Sequence, residues 1–485
     1  MSLPELIEIV PLDKPVHAEI TVPGSKSITN RALILAALAD GEVTLEGALW
    51  SEDTQIMVEC LQELGFMVDV KPDPNEDCNR TITVYGKGGV IPPGGTEQQP
   101  MELFVGNAGT AARFLAAFVC LGKGVYRLHG VPRMHERPQA ALFKALRELG
   151  YRVESEQGND KLPVKIFGKT ESEKAESGNA LRRSCKVSIA QSSQFASALL
   201  LCASVGGWNV EIAGENAEES PYVVMTSKLI EAFPHRGGKF QIEPDASSGS
   251  YFWAASEQEL TEKRESHSED GLSHKFKFRT SLTVKVSHWP RSGWQIDERF
   301  FERVLHLQSL TRNFAKDVLG LECHQVEKVI LDSLEKAPRE IVSRQRDLGD
   351  SIMTAIVMAV FCCEPIRFTD LGRLRVQECE RVVALRTELT KCGAKVIEEG
   401  DTLTVYPSQL HGAEIETYND HRMAMCFAIL GLKVPGIKIK NPACVKKTFP
   451  NFFQKLAALP PKGLGATILD AKTGRRLTHK ELFAD

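Results

Sequence analysis

The clearest pattern along the chain is a recurring unit of strand-like and helix-like segments. Alternating apolar and polar residues are followed by apolar residues at three- and four-residue steps, then by a glycine and a second alternating segment. Three clear copies of the unit begin at Glu42, Gly124 and Pro365. Their helix patterns stop at Gly65, Gly150 and Gly393, where a left-handed glycine commonly ends a helix. The pattern predicts an α/β protein built from several related units, used twice.

Weaker copies of the unit begin at Asn209, Leu282 and Gly436. Two segments do not follow it. The stretch Ser256–His274 is charged, rich in serine and poor in apolar residues, which predicts an exposed insertion. The tail after Leu459 carries little periodic signal, and we expect it to be peripheral.

Length and composition exclude several classes of protein. A chain of 485 residues predicts about three domains or two large ones, and 42% hydrophobic and 25% charged residues are typical of a globular protein. The formal net charge of −4 argues against a general nucleic-acid binder, so any cationic site must be local. No apolar run reaches membrane-spanning length, and the N-terminus lacks the basic and apolar regions of a signal peptide.

The cysteines also carry information about the compartment. Twelve are scattered through apolar, helix-like segments, and no CxxC pair occurs. This pattern signals neither a zinc site nor a redox pair. We expect buried, reduced thiols in a cytoplasmic protein.

The segment VPGSKSITNRALILAALADG places Lys26, Ser27 and Arg31 at the start of an apolar helix. Free N–H groups and the helix dipole favour an anion there. Helix capping alone explains the serines. It does not explain two cations at the positive end of a helix, so the pattern favours binding of a phosphate or carboxylate. The segment is not a P-loop, because GxxxxGK[ST] is absent.

Other predicted helix starts carry similar side chains. GNAGTAARF precedes a helix with Arg113 in its first turn, MHERP places Arg137 before a proline, and SSQF begins a third helix. Their hydroxyl, amide and cationic groups suit a phosphate or a polyol. Ordinary capped helices explain each segment about equally well when it is taken alone.

The second half of the chain contains the candidate acids. Asp350 is predicted as the N-cap of an apolar helix, and Glu378 lies within the charged segment Arg373–Arg386. The segment Asp420–Arg422 precedes another apolar helix, and KKTFP supplies Lys446 and Lys447. Each charged run taken singly is typical of a solvated surface. If the helix starts converge, they form a cationic cleft with a few carboxylates, suited to a polyanionic ligand and a proton transfer.

Six motifs in this order give the chain a recognisable family resemblance. They are PGSKSITNRALILAAL, GNAGTAARF, MHERP, SSQF, YNDHRMAM and KTFP, and the resemblance that they indicate covers about Pro15 to Leu459. Together they resemble the family of 5-enolpyruvylshikimate-3-phosphate synthases. The resemblance implies a two-domain inside-out α/β barrel, each domain with three βαβαββ units and the active site in the inter-domain cleft.

The resemblance also implies domain boundaries. Residues 24–243 would form the shikimate 3-phosphate side. Residues 1–23 and 244–485 would form the second domain, which carries the acidic catalytic residues, a charged insertion near 256–280 and the tail 460–485.

The family transfers the enolpyruvyl group of phosphoenolpyruvate to the 5-hydroxyl of shikimate 3-phosphate, releases phosphate and consumes no metal or organic cofactor. By resemblance, the catalytic residues are Asp350, which accepts the hydroxyl proton, Glu378, which protonates the methylene carbon, and Lys26. Shikimate 3-phosphate would be held by Lys26, Ser27, Arg31, Ser192, Ser193, Gln194, Tyr222 and Asp350. Phosphoenolpyruvate would be held by Lys26, Asn107, Gly109, Arg137, Gln194, Arg381, Arg422 and Lys447.

Three positions depart from the family pattern. Gln377 stands where the family commonly has a lysine that contacts shikimate 3-phosphate. Phe114 stands where many members have proline, and Glu219 where a serine is usual. No residue assigned to proton transfer is lost.

The sequence is also compatible with two rival interpretations. One is the sister enolpyruvyl transferase that acts on UDP-N-acetylglucosamine, although no cysteine stands at a matching loop. The other is a catalytically silent domain of the same fold. We expect a monomer that binds two small phosphorylated substrates, and neither nucleic acid nor a membrane.

Overall fold

The computed structural model describes residues 3–169, 183–214, 220–256, 258–263, 277–309, 338 and 340–484. Its strands are β1 (Leu6–Ile9), β2 (Ala18–Ile20), β3 (Glu42–Leu49), β4 (Val68–Pro72), β5 (Asn79–Tyr85), β6 (Met101–Phe104), β7 (Val125–His129), β8 (Val153–Ser155), β9 (Val164–Phe167), β10 (Arg183–Ser188), β11 (Trp208–Ala213), β12 (Gly238–Gln241), β13 (Gln258–Lys263), β14 (Lys277–Leu282), β15 (Val284–Val286), β16 (Glu340–Ser343), β17 (Ile366–Thr369), β18 (Val396–Glu399), β19 (Thr402–Val405), β20 (Glu414–Ile415), β21 (Ile437–Lys440) and β22 (Ile468–Asp470). Its α-helices are α1 (Lys26–Leu38), α2 (Glu52–Glu63), α3 (Gly109–Phe118), α4 (Pro132–Glu136), α5 (Ala140–Glu148), α6 (Gln194–Gly206), α7 (Pro221–Ala232), α8 (Ala246–Ala255), α9 (Phe300–Ser309), α10 (Ile352–Met358), α11 (Arg381–Lys391), α12 (His421–Gly431) and α13 (Phe452–Ala457).

One sheet topology occurs four times. The four-stranded sheets have the orders β12-β3-β5-β4, β6-β7-β9-β8, β16-β17-β19-β18 and β20-β21-β1-β22. In each, the first two strands are parallel and the remaining neighbours are antiparallel. Two further sheets consist of the parallel pairs β10-β11 and β2-β15. The repeating unit predicted from the sequence is therefore confirmed.

The glycines that end the predicted helices adopt the expected conformation. Gly65, Gly150 and Gly393 have φ values of 84°, 89° and 90°, a left-handed region that is costly for other residues. Each follows a helix and precedes a strand of the repeating unit.

Helices α1 and α12 lie in the interior of the molecule and pack against strands of the sheets. Every residue of α1 from Ile28 to Leu38 is buried, and so is every residue of α12. The strands instead alternate between buried and more exposed positions, as in β1 and β9. A helix that is apolar on all sides has to be enclosed on all sides, and this is the inside-out arrangement that the resemblance implies.

The buried apolar residues form two separate clusters. One contains buried residues between positions 28 and 242. The other combines residues 3–22 with residues from 251 onward. The N-terminal residues of the chain thus belong to the second cluster. The chain then passes into the first cluster and returns to the second after about position 242.

The two points at which the chain passes between the clusters lie side by side. Gly24 forms an antiparallel bridge with Pro244, and the Ser25 N–H donates to the Glu243 carbonyl at 2.8 Å. A Cβ at Gly24 would lie 2.0 Å from the Gly47 carbonyl oxygen, so only glycine allows this backbone approach.

The expectation of a peripheral tail is wrong. Strand β22 pairs with β1, and Leu464, Leu477 and Leu482 are buried in the second cluster. The apolar positions of the tail are too few and too irregular for a periodic signal, but pairing with β1 buries them.

The predicted insertion lies only partly within the described residues. Strands β13 and β14 form an antiparallel pair, and positions 264–276 between them lie outside the described residues.

The eleven described cysteines are all buried thiols, as predicted, and Cys323 lies outside the described residues. Within the described parts of the chain, every helix is too short or too polar to cross a bilayer.

Candidate active site

A single cleft is lined by helix starts from both clusters. The first cluster contributes residues at the starts of α1, α3 and α6, and the second contributes residues at the starts of α8, α10 and α12. The lysine and arginine residues of its lining are Lys26, Arg31, Arg113, Arg137, Arg344, Arg373, Arg381 and Arg422. Its carboxylates are Asp53, Asp245, Asp297, Asp350 and Glu378. The cleft is therefore cationic within a chain whose formal net charge is −4.

Nearly all residues singled out from the sequence lie at this cleft. Those in its lining are Lys26, Ser27, Arg31, Gly109, Arg137, Ser192, Ser193, Gln194, Tyr222, Asp350, Glu378, Arg381 and Arg422. The other two, Asn107 and Lys447, lie directly behind it. The Lys447 ammonium is 3.2 Å from Glu378 Oε1 and donates to the Asn107 carbonyl at 3.2 Å. The structure brings the predicted set together, while the role of each residue stays a prediction.

Lys26 lies at the start of α1 between two carboxylates. Its Nζ atom is 3.0 Å from Asp53 Oδ2, and its backbone N–H donates to Asp245 Oδ2 at 3.3 Å. Ser25 is the N-cap of α1, without a hydrogen bond from its side chain to the helix. The first turn therefore keeps its positive end toward the cleft.

Arg31 lines the cleft, but its guanidinium group is hydrogen-bonded within the protein. Its Nε donates to Thr226 Oγ1 at 2.8 Å, Nη1 to the Ser27 carbonyl at 2.8 Å, and Nη2 to Ser197 Oγ at 3.0 Å. Burial lowers the pKa of Arg31 to about 10, which still leaves it cationic at neutral pH. These contacts favour a structural role for Arg31, in which it links α1 to α6 and α7 beside the cleft.

The segment before α6 offers hydroxyl and amide groups. Ser193 is the N-cap of α6, and its side chain makes no capping hydrogen bond. Gln194 Nε2 donates to Thr110 Oγ1 at 3.0 Å, and Gln194 Oε1 accepts from Arg113 Nη1 at 2.6 Å. Arg113 is the fifth residue of α3 rather than part of its first turn, a small correction to the sequence prediction.

Gly109 allows two guanidinium groups to approach the start of α3. A Cβ at this position would lie 2.7 Å from both Nη atoms of Arg137 and 2.8 Å from Arg113 Nη1. Burial, reinforced by the charge of Arg137, holds the pKa of Arg113 well below its usual range. Two adjacent cations of this kind favour a bound anion.

Asp350 lies between two arginines. Arg344 Nη2 is 2.7 Å from Asp350 Oδ1, and Arg422 Nη2 is 3.1 Å from Oδ2. Burial raises the pKa of Asp350, but these two positive charges outweigh it and hold the pKa well below the usual range. The N-cap of α10 is Ser351 and not Asp350, which corrects the sequence prediction. The Asp350 carboxylate lines the cleft, and its two oxygens are paired with these arginines.

Glu378 lies in a second ion-pair cluster. Its Oε2 is 2.8 Å from Arg381 Nη2, and Arg381 Nε is 2.7 Å from Asp420 Oδ2. Asp420 is the N-cap of α12 and accepts from the Arg422 N–H at 2.9 Å. Burial raises the pKa of Glu378, but the charges of Lys447 and Arg381 outweigh it and hold the pKa well below its usual range.

Two arginines of the cleft were not assigned from the sequence. Arg344 follows β16, and Arg373 lies in the short 3-10 helix Gly372–Val376. Neither belongs to the six family motifs. Arg373 begins the charged segment Arg373–Arg386, but the sequence around it does not indicate that it reaches the cleft.

Two of the three departures from the family pattern, Gln377 and Phe114, lie within the described residues. The Gln377 side-chain oxygen accepts a hydrogen bond from Arg381 Nη1, so its amide faces the Glu378 cluster. Phe114 is buried, with the Arg31 guanidinium carbon 5.3 Å from its ring centroid. Glu219 lies outside the described residues.

Comparison with solved structures defines the class of fold. An EPSP synthase from Acinetobacter baumannii aligns over 96% of this chain and 99% of its own, with a TM-score of 0.59 at 19% identity. The enolpyruvyl transferase NikO from Streptomyces tendae aligns over 96% and 98%, with a TM-score of 0.56 at 14% identity. The fold is that of the enolpyruvyl transferases.

Sequence comparison identifies the family within that class. The family model of EPSP synthase (3-phosphoshikimate 1-carboxyvinyltransferase) matches residues 11–236 and 281–456. A 3-phosphoshikimate 1-carboxyvinyltransferase from Trichormus variabilis is 35% identical over 93% of this chain and 98% of its own. A chloroplastic relative from Solanum lycopersicum is 34% identical over 93% and 84%. The chain belongs to the EPSP synthase family.

Proposed function

We propose that the protein is a 3-phosphoshikimate 1-carboxyvinyltransferase of the shikimate pathway. It transfers the enolpyruvyl group of phosphoenolpyruvate to the 5-hydroxyl of shikimate 3-phosphate and releases phosphate. The observation that carries the proposal is a cationic cleft that holds two ionised carboxylates, each between two cations, at positions that match the family motifs. Such a cleft suits two polyanionic substrates and a reaction with two proton transfers.

Asp350 is the proposed base. Attack of the 5-hydroxyl oxygen on C2 of phosphoenolpyruvate requires removal of the hydroxyl proton. Arg344 and Arg422 keep the Asp350 carboxylate ionised in the free protein, so it can accept that proton without a prior change of state.

Glu378 is the proposed acid, and it has to gain a proton before it can act. Protonation of C3 completes the addition and gives a tetrahedral adduct. In the free protein the pKa of Glu378 is held down by Lys447 and Arg381 despite its burial. Anionic phosphoenolpyruvate at these cations would offset their attraction for the carboxylate and raise the pKa of Glu378.

Loss of phosphate from the adduct, with return of a proton from C3 to a protein base, restores the double bond. Arg137 and Lys447 would stabilise the phosphate group as it leaves. Lys26, at the positive end of α1 and paired with Asp53, would bridge the two substrates. The hydroxyls of Ser192 and Ser193 would receive the 3-phosphate.

The test is phosphate release by the purified chain with phosphoenolpyruvate. Release that depends on shikimate 3-phosphate is expected. Release that depends instead on UDP-N-acetylglucosamine would assign the chain to the sister activity. Tight binding of phosphoenolpyruvate without any product would identify a catalytically silent domain.

We also propose the division into residues 24–243 and residues 1–23 with 244–485 as domains. The two apolar clusters and the adjacent crossings at Gly24 and Pro244 support it. A monomer in the cytoplasm remains our expectation for the assembly and location. Sedimentation of the purified chain and fractionation of the source cells test these two points.

A further inference from the structure

Arg373 is a cation of the cleft that lies outside the six family motifs. Its Nη2 donates to the Ile189 carbonyl at 2.8 Å, which joins the two halves of the protein across the cleft. Ile189 follows β10 and lies three residues before Ser192. The guanidinium therefore lies against the segment that carries Ser192 and Ser193, the hydroxyls predicted to receive the 3-phosphate.

The charge of Arg373 is not balanced by the protein. Among the described residues, no carboxylate lies within ion-pair distance of it, and Ile189 provides a neutral carbonyl. Its cationic neighbour Arg344 is already paired with Asp350 at 2.7 Å. Burial, reinforced by the charge of Arg344, lowers the pKa of Arg373 to about 10, so it remains cationic at neutral pH. A half-buried, uncompensated cation that lines a cleft favours an anionic ligand.

The same region lacks a cation that the family pattern would supply. Gln377 stands where members commonly carry a lysine that contacts shikimate 3-phosphate. Its side chain accepts from Arg381, and its backbone carbonyl accepts from Arg133 Nη2 at 3.3 Å. Position 377 is thus neutral and engaged with the Glu378 cluster. Arg373, four residues earlier, also lines the cleft.

We propose that Arg373 binds the 3-phosphate of shikimate 3-phosphate in place of the missing lysine at position 377. Arg373 would provide a planar fork that can contact two phosphate oxygens, whereas a lysine acts as a point charge. This inference rests on the proposed function, because it names a specificity residue for the same acceptor.

The primary test is calorimetric titration of shikimate 3-phosphate into the full chain without phosphoenolpyruvate. Arg373→Gln is expected to weaken binding about 10- to 100-fold, the scale of a charge-assisted phosphate contact. Arg373→Lys should lose less. The matched control is Arg367→Gln, which removes a surface arginine 3.6 Å from Glu399 and should leave the affinity unchanged.

Two further measurements separate phosphate binding from a structural role. Binding of shikimate, which has no phosphate, should be nearly equal in wild type and in Arg373→Gln. The double variant Arg373→Gln with Gln377→Lys should regain at least part of the lost affinity, because it returns a cation without restoring the same bond to Ile189. Equal losses for shikimate and shikimate 3-phosphate, or no recovery in the double variant, would overturn the proposal.

These experiments distinguish a failure of the inference about Arg373 from a failure of the proposed function. Suppose that the wild-type chain shows no turnover but binds shikimate 3-phosphate, and that this binding is lost in Arg373→Gln. This result would support the inference about Arg373 and refute the proposed activity. If the wild-type chain turns over normally, and Arg373→Gln binds shikimate 3-phosphate within threefold of the wild-type affinity, the proposed activity is supported and this inference is refuted.

Discussion

Asp350 and Glu378, two carboxylates of the cleft, have similar surroundings but opposite proposed tasks. Asp350 and Glu378 are each held between two cations, and each has a pKa below its usual range. A base has to be ionised before the reaction, and an acid has to be protonated. The free protein therefore has Asp350 ready for its proposed step, whereas Glu378 becomes ready only when a ligand changes its surroundings.

The difference lies in which cations the substrates can engage. Lys447, one partner of Glu378, also donates to the Asn107 carbonyl, as does Arg137 at 3.2 Å. This group is the one proposed to bind phosphoenolpyruvate, so the donor substrate would compete with Glu378 for positive charge. Binding of the donor would thereby prepare the acid that acts on it.

Removal of the base should have the largest effect. Asp350→Ala is expected to lower kcat by about 10³–10⁴-fold, near the upper range for general base catalysis. The affinity for shikimate 3-phosphate should change far less than kcat, because the other residues predicted to hold this substrate remain in place. Steady-state kinetics and calorimetry measure the two quantities. Asp401→Ala, at an exposed carboxylate that pairs with Arg375, is the control. Affinity lost in step with rate would contradict the proposed role.

Removal of the acid should have a smaller but more specific effect. Glu378→Gln is expected to lower kcat by about 10²–10³-fold and to change its pH dependence. In wild type, kcat should fall as pH rises through the raised pKa of Glu378 in the substrate complex, because the acid then loses its proton. If kcat of Glu378→Gln falls with rising pH in the same way as wild type, the proton delivered to C3 comes from another group.

The smallest effect concerns stability in acid. The pKa of Asp350 is lower in the folded protein than the value of about 3.9 for an unfolded aspartate. Its ionised form therefore stabilises the fold above about pH 4, and this contribution is lost as pH falls below that value.

Wild type should accordingly lose more stability than Asp350→Asn as pH falls from about 5 to about 3. The difference in Tm between the two proteins should therefore become smaller over that range. Scanning fluorimetry of both proteins across that range measures the difference. A constant gap in Tm would show that the two arginines do not depress the pKa as described.

Local patterns in the sequence predicted much of the fold. The helix and strand periods and the glycines at 65, 150 and 393 are short-range features, and the structure reproduces them. Strand β22 escaped prediction because its three residues are stabilised by pairing with β1, more than 450 positions earlier in the chain. Such pairing leaves no periodic signal.

In the candidate site too, local sequence features were predicted, whereas contacts between distant parts of the chain were not. Asp350 and Glu378 were assigned through the family resemblance, whereas Arg344 and Arg373 were missed because only folding brings them to the cleft. Ser351 rather than Asp350 caps α10, a one-residue difference that composition cannot resolve, since both residue types are good N-caps. The internal bonds of Arg31 also depend on contacts with α6 and α7 that are distant in sequence.

The buried thiols give this protein a native set of chemical probes. Burial raises the pKa of Cys60 in one cluster and of Cys426 in the other to about 12, so the reactive thiolate is scarce at neutral pH. An alkylating reagent should modify these positions only when the surrounding region opens. Pulsed alkylation followed by peptide mass analysis would therefore show which half of the molecule opens first, without any engineered label.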